Sequence, residues 1–267
     1  MPRANRHFLP NQLWHLTHRC HERAFLLKFA RDRRRYLRWL FEAKKRFGLC
    51  VLNHVVTSNH IHLLVKDTDA GAISQSIQLI AGRTAQEYNQ RKGRKGAFWE
   101  DRYHATAIEA DEHLLRCLLY IDLNMVRAGV VEHPAEWPHC GYREIQEPPE
   151  RYAVIDLATL STLCGFTHVA HFQKAHRQWV NEALKRNATV RDGRWSESIA
   201  VGSRTFVDKV KADLGIKAKY REVTETGGAH TLREPKGAYA LDFSRESEAL
   251  TLDNTVLWQK KEEAIKT

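Results

Sequence analysis

Cysteine is sparse and unpatterned in this 267-residue chain: five residues, at positions 20, 50, 117, 140 and 164, with no CxxC pair. An odd, scattered set excludes a closed disulfide framework and a cysteine-built zinc site, which leaves reduced, mostly buried thiols as the expectation. Long apolar runs are missing, so no segment reads as a bilayer span. The opening decapeptide MPRANRHFLP lacks the apolar core of a secretory signal. Internal repeats and low-complexity tracts are absent as well. These absences point to a cytoplasmic globular protein with no membrane partner, long enough for one large domain or two modest ones.

Charge is plentiful but unevenly placed. The formal net charge is +10, and residues 1–50 hold thirteen Lys/Arg against three Asp/Glu, while the remainder holds twenty-nine of each. A basic excess confined to one segment points to a polyanionic partner, with nucleic acid first.

Periodicity gives an order of elements. Residues 13–20 read as a strand and 32–47 as a helix capped by Asp32, with Tyr36, Leu37, Leu40, Phe41 and Phe47 as its apolar stripe and Gly48 as its end. Residues 49–57 and 60–67 read as a hairpin turning at Ser58-Asn59. A helix follows at about 72–90, then the basic loop RKGRKG at 91–96, a strand at 104–109, and a helix at about 112–127 behind Asp111. The order β-α-β-β-α-β-α predicts an α+β fold: a ferredoxin-like antiparallel sheet with helices on one face and the other face open to a ligand. Residues 1–147 are taken as this domain. Four prolines in 133–150 mark a linker; 148–221 is expected to be a mostly helical C-terminal region, including 155–187 and 195–214, and 222–267 a charged, loosely ordered tail.

The sharpest local signal is Asn59-His60-Ile61-His62-Leu63-Leu64-Val65. Strand side chains alternate, so His60 and His62 share one face while Ile61, Leu63 and Val65 face a core. Two neighbouring imidazoles suit Mn, Fe, Co, Ni or Zn, whereas Mg prefers oxygen donors and needs carbonyl, water or phosphate beside them. His54 is a weaker candidate for the same face, and His15, His18 and His21 are read as serving structure or DNA contact.

The segment 111–130, DEHLLRCLLYIDLNMVRAGV, carries two apolar rows and a third face of His113, Arg116, Tyr120, Asn124 and Arg127. Alone, Tyr120 reads as a half-buried core tyrosine. Beside the histidine pair and the basic first fifty residues it becomes a candidate nucleophile, with the Asn124 amide oxygen as a candidate third metal ligand. A divalent ion can polarise a phosphate, and attack by the phenol would leave a covalent phosphotyrosine that conserves the bond energy for rejoining.

Three blocks in order, Asn59-His60-Ile61-His62-Leu63-Leu64, Phe98-Trp99-Glu100-Asp101-Arg102-Tyr103, and Tyr120-Ile121-Asp122-Leu123-Asn124-Met125-Val126-Arg127-Ala128-Gly129, make residues 10–145 resemble the REP-associated tyrosine transposases of the HUH single-tyrosine superfamily. The resemblance implies His60 and His62 as ligands, Tyr120 as nucleophile, Asn124 as metal-side helper, and Mg or Mn as the ion. It implies single-stranded DNA with short palindromic hairpins as partner, and cleavage to a 5′-phosphotyrosine and a free 3′-hydroxyl by a monomer or homodimer. Ser58, Met125 and the Thr17–Glu22 region depart from the usual family pattern without removing a catalytic group. Candidate DNA contacts are Arg102, Tyr103, Arg127, Arg91, Lys92, Arg94, Lys95, Arg33, Arg34 and Arg35, by phosphate contact and base stacking. A domesticated single-strand-binding protein of the same fold is the alternative. A hydrolase without the tyrosine would need further metal-spaced ligands, which the sequence does not offer.

Overall fold

The computed structural model describes residues 9, 11–186 and 192–233. Seven strands form one sheet: β1 Leu13–Arg19, β2 Cys50–Val56, β3 His60–Lys66, β4 His104–Ile108, β5 Ser198–Gly202, β6 Glu222–Thr226 and β7 Ala229–Arg233, in the order β2-β3-β1-β4-β5-β7-β6. The first four strands pair antiparallel throughout, which is the ferredoxin-like arrangement read from the sequence. Helix α1 (Ala30–Phe47) and helix α2 (Ala72–Lys92) cover one face, and they end on Gly48 and Gly93, both at positive φ.

The second face is not open. Helix α3 (Glu112–Asp122), α4 (Asn124–Arg127), α5 (Gly141–Gln146), α6 (Leu157–Leu163) and α7 (Val169–Lys185) pack over it with Leu13, Leu52, Val55 and Leu64. Trp14, Leu16, Ile61, Leu63 and Val65 face the α1–α2 layer instead. The expected single helix at 112–127 is broken at Leu123, and Asp111 precedes it at positive φ without a side-chain capping bond. Within the fold the second layer is pinned by a buried cluster. Asp122 accepts from Asn53 Nδ2 at 2.9 Å and pairs with His176 Nε2 at 2.8 Å, tying α3 to β2 and α7.

The C-terminal region departs further from expectation. Helix α8 (Arg194–Glu197) leads into β5, which lies parallel to β4, and α9 (Arg204–Leu214) follows. The first part of the expected tail forms the β6–β7 hairpin, turning on Gly227 and Gly228 at φ 56° and 72°. Positive φ at both turn positions matches the right-handed twist of paired strands. The rest of the expected tail, 234–267, lies outside the described residues. The division at 147/148 therefore does not separate two sheets or cores: the later residues extend the first domain's sheet and cover its second face. Residues 137–140 and 153–156, before and after α5, run along the outer side of β2, where Val56 N donates to His139 O, Asp156 N to Val51 O and Trp137 Nε1 to Val56 O.

Candidate functional site: a histidine pair beside a buried tyrosine

Strand β3 emerges from the hairpin turn with His60 and His62 on the face that α3 covers. Their rings lie 5.0 Å apart, centroid to centroid, at 88°. With metal–nitrogen bonds of about 2.1 Å, two imidazoles on one ion at 90–110° have centroids about 4.6–5.4 Å apart. The pair fits a shared ion. His60 Nδ1 lies 2.7 Å from Asn59 Oδ1 and 3.0 Å from Thr57 Oγ1, and the Asn59 amide nitrogen donates to Arg23 O, which turns its oxygen towards His60. His62 Nδ1 lies 2.9 Å from His15 Nε2. Each ring thus has Nδ1 held by a neighbour, the arrangement that orients a metal-ligating histidine for coordination through Nε2.

Helix α3 brings Tyr120 over the same spot. Its ring centroid is 5.8 Å from His62, 6.0 Å from His15 and 6.2 Å from Trp195. The Arg127 guanidinium sits 4.1 Å from the centre of the tyrosine ring and donates to the Tyr120 carbonyl at 2.5 Å. Only 8% of Tyr120 is exposed. Burial, with the nearby charges of His60 and His15, pushes the His62 imidazole well below its ordinary value, and burial pushes His15 down to about 4. Both rings are therefore neutral at pH 7, as ligation requires.

Asn124 opens α4 just past the Leu123 break, and its side chain makes no hydrogen bond among the described residues. Among the described residues no group of three His, Cys, Asp or Glu could hold a metal, so any ion at this spot would rest on His60 and His62 with an amide or carbonyl such as that of Asn124. Sequence reasoning assigned His15 to structure or DNA contact, but the structure puts it in the site. His54 goes the other way: it stands opposite Leu63 in the same unbroken register that pairs Val55 with His62, which puts it on the α1 side, so it does not join the pair.

The family model described as "Transposase IS200 like" matches residues 9–124, a span that holds both histidines and the tyrosine. That match spans less than half of the 267-residue chain. Two solved structures are similar in part. One, the "Structure of the REP associates tyrosine transposase bound to a REP hairpin", is 19% identical and covers 58% of this chain and 94% of that one, with a TM-score of 0.47. The other, a putative transposase from Deinococcus radiodurans R1, is 16% identical and covers 39% of this chain and 84% of that one, with a TM-score of 0.31. No curated protein matches the chain. Among the described residues, no helix is long and apolar enough to cross a membrane.

The candidate cationic residues divide. Arg127 belongs to the site. Arg33 is buried, donates to the carbonyls of Leu27 and Lys28, and lies over the Trp137 ring, so it is a structural residue and not a DNA contact. Tyr103 is likewise corrected, since its side chain is buried in the core beneath α1 and α2. Arg35 pairs with Glu87, Arg91 pairs with Asp32, Lys92 lies over Phe29, and Arg94 ties the basic loop together through Asn89 and Ala97. Arg34, Lys95 and Arg102 are exposed. The α1 and α2 cations sit across the sheet from the histidine pair.

Proposed function

We propose that this chain cuts and rejoins single-stranded DNA at hairpin-forming repeats, in the manner of the REP-associated tyrosine transposases its motifs resemble. The observation that carries the proposal is the convergence of Tyr120 from α3 with His60 and His62 from β3. His60 and His62, with Asn124 as third donor, would hold Mg or Mn. When bound, such an ion supplies charge stabilisation for the scissile phosphate.

Tyr120 Oη forms a bond to phosphorus as the bond from phosphorus to the 3′-oxygen breaks. The proton lost by the phenol is matched by the one the 3′-oxygen gains. The result is a 5′-phosphotyrosine and a 3′-hydroxyl, and reversal with a new 3′-hydroxyl rejoins a strand without a nucleotide cofactor. Arg127, lying over the Tyr120 ring and bonded to the Tyr120 carbonyl, would hold the ring's position and keep positive charge near the phenol.

The test is incubation with single-stranded hairpin DNA and Mn or Mg, followed by denaturing electrophoresis. A covalent adduct is expected from the wild type and none from Tyr120→Phe or from His60→Ala/His62→Ala. An adduct that persists in Tyr120→Phe removes the nucleophile assignment, and cutting of duplex without adduct supports a hydrolase. One observation favours a second reading. Tyr120 lies nearly covered beside Trp195, as it would in a chain that has kept the fold for binding single strands alone. Tight hairpin binding without any adduct would select that reading.

A further inference from the structure

The Trp195 carbonyl, contributed by α8, reaches into the site. It receives His15 Nδ1 at 2.7 Å and the Thr106 hydroxyl at 3.1 Å. A carbonyl oxygen only accepts, so the His15 proton sits on Nδ1. His15 is fully buried, and its other hydrogen bond among the described residues runs from Nε2 to His62 Nδ1 at 2.9 Å. The two rings lie within 7° of parallel with centroids 5.0 Å apart, the separation expected when they meet edge to edge in one plane. With its proton facing Trp195, a neutral His15 offers only a lone pair at Nε2. His62 must then donate from Nδ1, and its own lone pair is fixed on Nε2. The opposite tautomer of His62 would set two lone pairs against each other inside the core.

We infer that residues beyond the span matched by the family model complete the metal site: the α8 carbonyl, acting through His15, locks His62 into the Nδ1–H tautomer that can ligate an ion. His15 is a positioning residue, two bonds removed from the ion. The relay also gives the C-terminal region a task, because α8 is the segment that immediately precedes β5 and is held in place by the added strands. Thr106 fastens the same turn by bonding both Trp195 O and Ser198 O, the latter at 2.6 Å. The inference rests on the proposed role of His60 and His62 as ligands, and the test separates the two.

Long-range proton–nitrogen NMR of the metal-free full chain reads the tautomer directly, and calorimetric titration with Mn alone reads affinity. The wild type is expected to show His62 as Nδ1–H. His15→Leu should lose that preference and weaken Mn binding about 10- to 100-fold, the usual cost of removing an outer partner of a ligating histidine. His15→Gln should recover most of the loss, because its amide can donate to Trp195 and accept from His62. A wild-type His62 found as Nε2–H overturns the relay whether or not any variant folds. So does Mn affinity unchanged in a folded His15→Leu. An Nδ1–H His62 in a wild type that binds no Mn supports the relay and instead overturns the assignment of the pair as ligands.

Discussion

Replacing His176 with leucine should loosen the helix that carries the tyrosine. His176 is fully buried on α7, and its Nε2 meets Asp122 Oδ2 at 2.8 Å while Nδ1 meets the Gln146 amide at 2.9 Å. Asp122 is two residues from Tyr120, and its other oxygen is served by Asn53 and, more weakly, by the Cys140 thiol at 3.8 Å. Leucine fills similar space, so cavity formation is a small part of the change. The main loss is a donor to a buried carboxyl oxygen that no water can reach. Breaking one side of such a pair costs about 2–4 kcal/mol. For a chain of this size that is a fall in Tm of about 5–15 °C. Urea unfolding followed by tryptophan fluorescence measures the first quantity and calorimetry the second. Asp122→Leu/His176→Leu together should be closer to wild type than His176→Leu alone, because the orphaned oxygen is gone. A His176→Leu protein within 0.5 kcal/mol of wild type, or a double variant clearly worse than the single one, would refute the claim that this pair pins α3.

Three further outcomes follow from the same structure. His15 and His54 are both fully buried with imidazoles pushed down to about 4, chiefly by burial, against about 6.5 when unfolded. Their folded values lie below the unfolded ones, so this contribution is complete above pH 6.5 and is lost as pH falls towards 4. The unfolding free energy of the metal-free protein from urea titration should drop steadily over that window, with a slope of about 2–3 kcal/mol per pH unit from the two groups, and a flat profile would contradict it. Gly141→Ala should cost about 1–3 kcal/mol, since an added Cβ would stand 2.2 Å from Asn53 Oδ1 and 3.1 Å from the His54 backbone nitrogen; an unchanged denaturation midpoint would show that this packing yields. Arg33→Met should lower stability by about 1–3 kcal/mol yet leave single-strand affinity and its salt dependence unchanged in fluorescence anisotropy, whereas loss of a phosphate contact would reduce the salt slope by about 0.7.

The first four strands and the helices between them were legible because their signals are local. Polar and apolar residues alternate over His60–Leu63, and Gly48 and Gly93 stand where helices end. The site was legible as far as single elements reach: two histidines two apart on a strand, and a tyrosine on a helix face. His15 was not, because its role depends on β1–β3 register. Thr17 is the residue opposite His62, and His15 is its diagonal neighbour across 47 positions of sequence. His54 misled because the hairpin register pairs Val55, not His54, with His62, and neighbouring strand positions face opposite sides. Arg33 and Tyr103 carried the residue types of a DNA surface, but tertiary contacts buried both. Strand β5 escaped because Ser198-Ile-Ala-Val-Gly202 is five residues long and wedged between helices. The β6–β7 hairpin had a readable signal in Gly227-Gly228 between β-rich flanks, which the charged composition around it outweighed.

The path of residues 137–140 and 153–156 along β2, together with β5 lying beside β4, has a bearing on self-association. A ferredoxin-like sheet standing alone would present two free flanks, each an invitation to add a foreign strand or to zip two molecules together. Here both flanks are already occupied by the chain's own backbone, and among the described residues β6 is the outermost strand on the far side. Among the described residues, that leaves helical surfaces and β6, rather than the β2 or β4 edges, for two copies to meet through.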